Sequence, residues 1–158
     1  MKSFLGLAAL AAGALLASQA QAARVPEAGI SAEEVAQVLQ AKGYKAEIGK
    51  DNEGDPKVTS AADGSKFTVF FYGCQHTARC TSLTLQSGFH LEGGMTMERI
   101  NAWNKDNRFL KGWLDNVNDP FVEMDIEVGH AFLTETLGAN IETWASIIPD
   151  FKKYIGFQ

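Results

Sequence analysis

The chain has 158 residues, a length that fits one domain, and 46% of them are hydrophobic, enough for a real core. Charged residues make up 21%, which argues against global disorder. The formal charge of −5 gives an acidic surface that repels phosphate backbones, so nucleic acid is excluded as an expected partner.

Residues 1–22 read as a secretory signal peptide. Lys2 supplies the positive start, Phe4 to Ala17 is an almost unbroken apolar run, and Ala20-Gln21-Ala22 offers small residues for cleavage after Ala22. The run is short for a membrane anchor, which needs about 20 apolar residues. No Cys follows it to take a lipid, so no stable membrane insertion is expected once the leader is removed. Cleavage takes Lys2 away and lowers the formal charge to −6. The expected location is periplasmic or secreted.

Residues 23–29 read as a flexible leader, and 30–158 as the folded domain. Ser31 and Glu34 form a capping-box pattern, with Ile30 and Val35 as a hydrophobic staple. The helix they open carries Val35, Val38 and Leu39 on one stripe and stops at Gly43. Tyr44 to Gly49 is predicted as a strand with Tyr44, Ala46 and Ile48 on one face. Asp51 to Pro56 resembles a calcium loop in its alternating acids, but Pro56 stands where the loop glycine belongs, so a polar turn is preferred. Pro56 to Ala61 is a weak strand, and Asp63-Gly64 turns the chain into a third strand, Lys66 to Tyr72.

Cys74 and Cys80 follow, and Ser82 to Gln86 alternates as a fourth strand. The cysteines therefore sit at the neck of a hairpin, where neighbouring Cα atoms come within disulfide range. The spacing is C-x5-C rather than C-x-x-C, against a redox site. A metal site of Cys74, His76 and Cys80 lacks a fourth ligand. A structural disulfide is the preferred reading.

Thr96 to Asp106 is predicted as a helix capped by Thr96, with Met97, Ile100 and Trp103 or Asn104 on one face. Phe109 to Asn116 and Pro120 to Val128 are predicted strands around a turn at Asn116 to Asp119. In the second, Val122, Met124, Ile126 and Val128 point inward and Glu123, Asp125 and Glu127 outward. Residues 129–137 form a connector, and Asn140 is the expected cap of the last helix. Ile141, Trp144, Ile148, Phe151 and Ile155 give that helix an apolar face, which Pro149 is expected to kink near Ala145 or to break. The fold class is α+β, an antiparallel sheet with flanking helices in the order α-β-β-β-β-α-β-β-α.

No catalytic constellation emerges. His76, His90 and His130 show no ligand spacing, and there is no nucleophile elbow or phosphate loop. The row Glu123, Asp125, Glu127 reads first as a solvated strand face. Trp103, Trp113 and Trp144 read as core packing, and Asn101 and Asn104 as polar groups bonded to neighbouring backbone or capping a loop. No cofactor is called for.

Three segments resemble the YbjN family: Phe67-Thr-Val-Phe-Phe-Tyr-Gly-Cys74, Ile100-Asn-Ala-Trp-Asn-Lys-Asp-Asn-Arg-Phe109 and Asp119-Pro-Phe-Val-Glu-Met-Asp-Ile126. The resemblance runs from about Ile30 to Phe151, with Asn101, Trp103, Asn104, Arg108 and Phe109 as its motif. It implies a fold like that of type III secretion chaperones, α+β proteins that often dimerise and bind unfolded partner segments, and the label of bacterial sensory transduction regulator. It carries no catalytic residues, so the expectation is a non-enzymatic protein-binding or chaperone-like module with a protein partner, open to forming a homodimer. The alternatives are a hydrolase-like enzyme using His90 or the acidic strand, and an envelope-stress structural protein. The signal peptide and the cysteine pair set this chain apart from cytosolic members.

Overall fold

In the third strand every second residue from Ser65 to Phe71 is buried, and the residues between are partly or fully exposed. One face of this strand is covered and the other is not, and that asymmetry holds across the sheet among the described residues. The computed structural model describes residues 23–75, 78–129 and 131–157; the expected signal peptide, His76 and His130 lie outside the described residues.

Among the described residues, β1 (Glu47–Lys50), β2 (Pro56–Ala62), β3 (Ser65–Tyr72), β4 (Ser82–Gly88), β5 (Lys111–Leu114) and β6 (Pro120–Glu127) form one antiparallel sheet, in the order β1-β2-β3-β4-β6-β5. The helices α1 (Ala32–Ala41), α2 (Met97–Asp106) and α3 (Thr134–Ile155) complete the α+β order expected from the sequence. The chain leaves β4, forms α2, places β5 at the sheet edge and returns β6 beside β4.

The core lies between the helices and the inward residues Val58, Phe67, Val69, Leu83, Leu85 and Val122. Trp144 of α3 packs against Phe67 with ring centroids 5.7 Å apart, and Trp103 of α2 meets Phe151 edge-on at 4.9 Å. Ser31 accepts from the Glu34 amide at 3.4 Å while the Glu34 carboxylate accepts from the Ser31 amide at 2.8 Å, so the capping box forms as its sequence implies.

Several expectations are corrected. The leader at residues 23–29 is tied down: Val25 is buried and its amide donates to the Phe132 carbonyl at 2.8 Å. β1 begins at Glu47 rather than Tyr44, because the Tyr44 amide closes the end of α1 by donating to Leu39. Ile48 is half exposed at the sheet edge. β5 is shorter than Phe109 to Asn116: Phe109 has φ 72°, with the Leu110 amide donating to the Arg108 carbonyl in a γ-turn, and strands do not admit that backbone. At its other end the Asp115 carboxylate accepts from the Val117 and Asp119 amides and turns the chain. Met97, expected on the buried face of α2, is exposed.

The last helix also departs from expectation. It starts at Thr134 after Leu133, so Asn140 lies inside it and donates to the Thr136 carbonyl. It runs unbroken through Pro149. An interior proline costs about 3 kcal/mol. Against that stand Ile141, Trp144, Ile148, Phe151 and Ile155, all buried and each contributing about 1.5–3 kcal/mol by leaving water. Packing wins, and the helix persists until Gly156 takes the left-handed conformation at φ 78°.

Candidate functional site

The three helices described pack on one side of the sheet, so among the described residues nothing covers the outward residues of its strands. Cross-strand register lays this face out in rows. Tyr72, Ser82 and Glu127 are aligned, as are Lys57, Phe70, Thr84 and Asp125. The next row is Thr59, Thr68, Gln86, Glu123 and Lys111. Trp113 and Phe121 follow at the β5 side.

Trp113 was expected in the core and instead lies on this face. Its ring stacks on Phe121 with centroids 4.4 Å apart and planes 16° from parallel, and its indole N–H donates to Glu123 Oε2 at 2.9 Å. The period-two pattern of β5 and β6 put it there, because Trp113 pairs with Phe121, one residue out of phase with buried Val122. The Phe121 ring rests on Gly88: a Cβ added at that glycine would come within 2.4 Å of the ring. Trp103 and Trp144 are core residues, as expected.

The acidic row is outward, and its members differ. Glu123 is largely covered, is ion-paired with Lys111 Nζ at 2.5 Å, and accepts from Trp113 and Gln86. The Lys111 ammonium is pushed up from its ordinary value by that hydrogen bond. Asp125 accepts from the Thr84 hydroxyl at 2.7 Å, and Glu127 is exposed. Burial pushes the Tyr72 phenol up, and the charges of Glu123, Asp125, Asp51 and Glu53 add to the shift.

At the other end an open depression of about 460 Å³ is lined by Thr68, Phe70, Gln86 and Phe121, with His90 and Asp119 on its rim. His90 Nδ1 lies 2.8 Å from Asp119 Oδ2, while Asp119 Oδ1 accepts from the Leu91 amide. The bond to Asp119 holds the imidazole above its ordinary value; the Leu91 amide first, then His90, holds Asp119 below its own. The His90 side chain is 85% exposed, so its proton exchanges freely with bulk water, while Asp119 is largely covered.

Cys74 and Cys80 are bonded to each other at the β3–β4 neck. Gln75 and Arg79 pair inside the loop. The loop is fastened to the start of α1: Ile30 and Cys80 exchange backbone hydrogen bonds at 2.9 Å, and Arg79 Nη2 reaches both oxygens of Glu34 at 2.7 and 2.9 Å. Gly29 is required at that junction, since it has φ 96° and an added Cβ would meet the Cys80 carbonyl at 2.1 Å. Nothing in the sequence spacing linked Arg79 to Glu34, because the pair is 45 residues apart.

The remaining motif residues sit at the junction of α2 and β5. Trp103 is buried and its indole N–H donates to the Leu110 carbonyl at 3.3 Å. Asn104 bonds the backbone of Gly112. Asn101 is exposed, and Arg108 stacks over the exposed Phe109 ring at 4.9 Å.

A family model named YbjN and described as "Putative bacterial sensory transduction regulator" matches residues 31–157. No curated protein matches the chain. Among solved structures, the Yersinia pestis type III secretion chaperone SycH, solved in complex with a stable fragment of YscM2, is similar at 11% identity and a TM-score of 0.49, over 80% of this chain and 98% of that one. With nearly the whole described domain matched, the chain belongs to the YbjN family.

Proposed function

We propose that this protein is an exported, non-enzymatic binding module that receives a segment of a partner protein on the uncovered face of its sheet. The observation that carries the reading is the set of aromatic side chains there: Phe70, Phe121 and Trp113 stay half-buried with none of the described helices over them, and Tyr72 is 51% exposed. Aromatic groups on a rigid sheet present large contact area at low entropic cost, which is how interface anchors are built. Membership of a family described as regulatory supports the reading, as does the exposure of the His90 side chain. Export rests on the signal pattern at residues 1–22, and the disulfide suits an oxidising compartment.

The test is position-specific photo-crosslinking in intact cells. A photoreactive residue at Phe70 gives a discrete protein adduct, and one at Glu142 on the exposed side of α3 does not. Equal labelling at both positions, or none at Phe70, overturns the docking assignment. Export is checked separately: the intact mass of the cellular protein matches cleavage after Ala22 with both thiols oxidised, and a mass that retains residues 1–22 refutes it.

A further inference from the structure

The uncovered face has a grain that says what would fit it. β4 runs along its middle and presents Ser82, Thr84, Gln86 and Gly88, all short or polar, as a low floor. On one side β3 raises Tyr72 and Phe70; on the other β6 raises Glu127 and Asp125, directly across the floor in the same two rows. The result is a trough along β4 with an aromatic bank and an acidic bank. Alternate residues of a strand repeat every ~6.5–7 Å, which is also the repeat of an extended chain lying in the trough.

The acidic bank is unequal in a useful way. Glu123 is neutralised by Lys111. Asp125 holds only the Thr84 hydroxyl, and among the described residues neither it nor Glu127 pairs with a cation. Asp51 and Glu53 bring further negative charge to the Tyr72 end. Lys111 on the face is held by Glu123, and Lys57 and Lys66 lie outside the trough: Lys57 is across Phe70 on β2, and Lys66 is at the opposite end of β3. Two carboxylates free of ion pairs among the described residues, facing two aromatic rings, form a cation-accepting surface, with room for aliphatic stems to lie against the rings.

Resting on the docking assignment above, we propose that the trough takes an extended basic segment of the partner, with Lys or Arg at alternate positions set against Asp125 and Glu127 and their stems across Phe70 and Tyr72. Charge complementarity gives such a segment register and a fast approach to an acidic protein.

The experiment measures fluorescence anisotropy of a labelled peptide alternating Lys with Ser, beside versions with Gln or Glu in place of Lys. The Lys peptide binds, its affinity falls as salt rises, and Asp125→Asn and Glu127→Gln each weaken it about two- to fivefold, the range of an exposed ion pair. Glu142→Gln on the far side of the molecule leaves binding unchanged. Asp125→Asn keeps the Thr84 bond, so folding is preserved. Equal binding of the Gln peptide, or a Lys peptide indifferent to Asp125→Asn and Glu127→Gln combined, overturns the basic-segment proposal while Phe70 crosslinks in cells keep the docking face. Loss of those crosslinks as well overturns both.

Discussion

The side-chain amide of Asn104 bonds both backbone groups of Gly112: Nδ2 donates to the carbonyl at 3.0 Å, and the Gly112 amide donates to Oδ1 at 2.7 Å. β5 is an edge strand, and its outward groups would otherwise face water or another chain. A residue of α2 takes the place of the missing neighbour. The approach needs glycine, since a Cβ at Gly112 would meet the Ile100 side chain at 2.6 Å.

Replacing Asn104 with Ala leaves both groups of Gly112 without their partner and is expected to cost about 1–2 kcal/mol. Asn104→Asp keeps an acceptor for the amide but sets a carboxylate against the Gly112 carbonyl, so it rescues little. Urea unfolding of the two variants reads this directly. A midpoint unchanged in both would refute the clamp.

The disulfide closes a short loop, and the loop-entropy model gives about 2 kcal/mol for it. The loss on reduction is expected to be local before it is global, because the loop anchors the start of α1 through the Ile30–Cys80 and Arg79–Glu34 contacts. Hydrogen exchange should therefore quicken first at the Ile30 and Cys80 amides when the protein is reduced under native conditions. Uniform acceleration across β3 and β4 would show that the loop is not a separate unit.

His90 and Asp119 titrate in opposite senses. Because His90 is raised above its ordinary 6.5, its contribution to stability is complete below that value and is lost as pH rises through the raised midpoint. Because Asp119 is lowered from 3.8, its contribution is present above that value and is lost as pH falls through the depressed midpoint. The pair is therefore at its best between the two ordinary values. In an NMR titration the His90 midpoint lies above 6.5, and Asp119→Asn moves it down. No movement in that variant would detach the histidine from the pair.

The sequence made the element order legible because each element has a local signature. Ser31 and Glu34 announce α1, and Val122, Met124 and Ile126 alternate through β6. The misread elements are those where a distant contact decides. Pro149 is held in a helix by the burial of Trp144, Ile148 and Phe151, a sum that no window around the proline reveals. Trp113 reads as core from the apolar face of its predicted strand, but its pairing with Phe121 on β6 turns it outward. The candidate face is legible only in part: the alternation of β6 puts Glu123, Asp125 and Glu127 outward, but the alignment of Asp125 and Glu127 with Phe70 and Tyr72 across β4 depends on strand order.

Gly88 shows how that outward face is shaped. Phe121 lies on it with its ring atoms 2.4–2.8 Å from where a Cβ would stand, and Trp113 stacks on Phe121 in turn. Gly88→Val removes the seat. Phe121 is half-buried at the surface, so its ring can swing outward, and the expected cost is about 1–2 kcal/mol rather than unfolding. The swing breaks the parallel stack, so the near-ultraviolet circular dichroism of the tryptophans changes while the far-ultraviolet spectrum is kept. Phe121→Leu in the same background removes the clash and restores part of the stability without restoring the aromatic signal. A Gly88→Val protein with an unaltered near-ultraviolet spectrum would mean that the ring does not depend on the glycine beneath it.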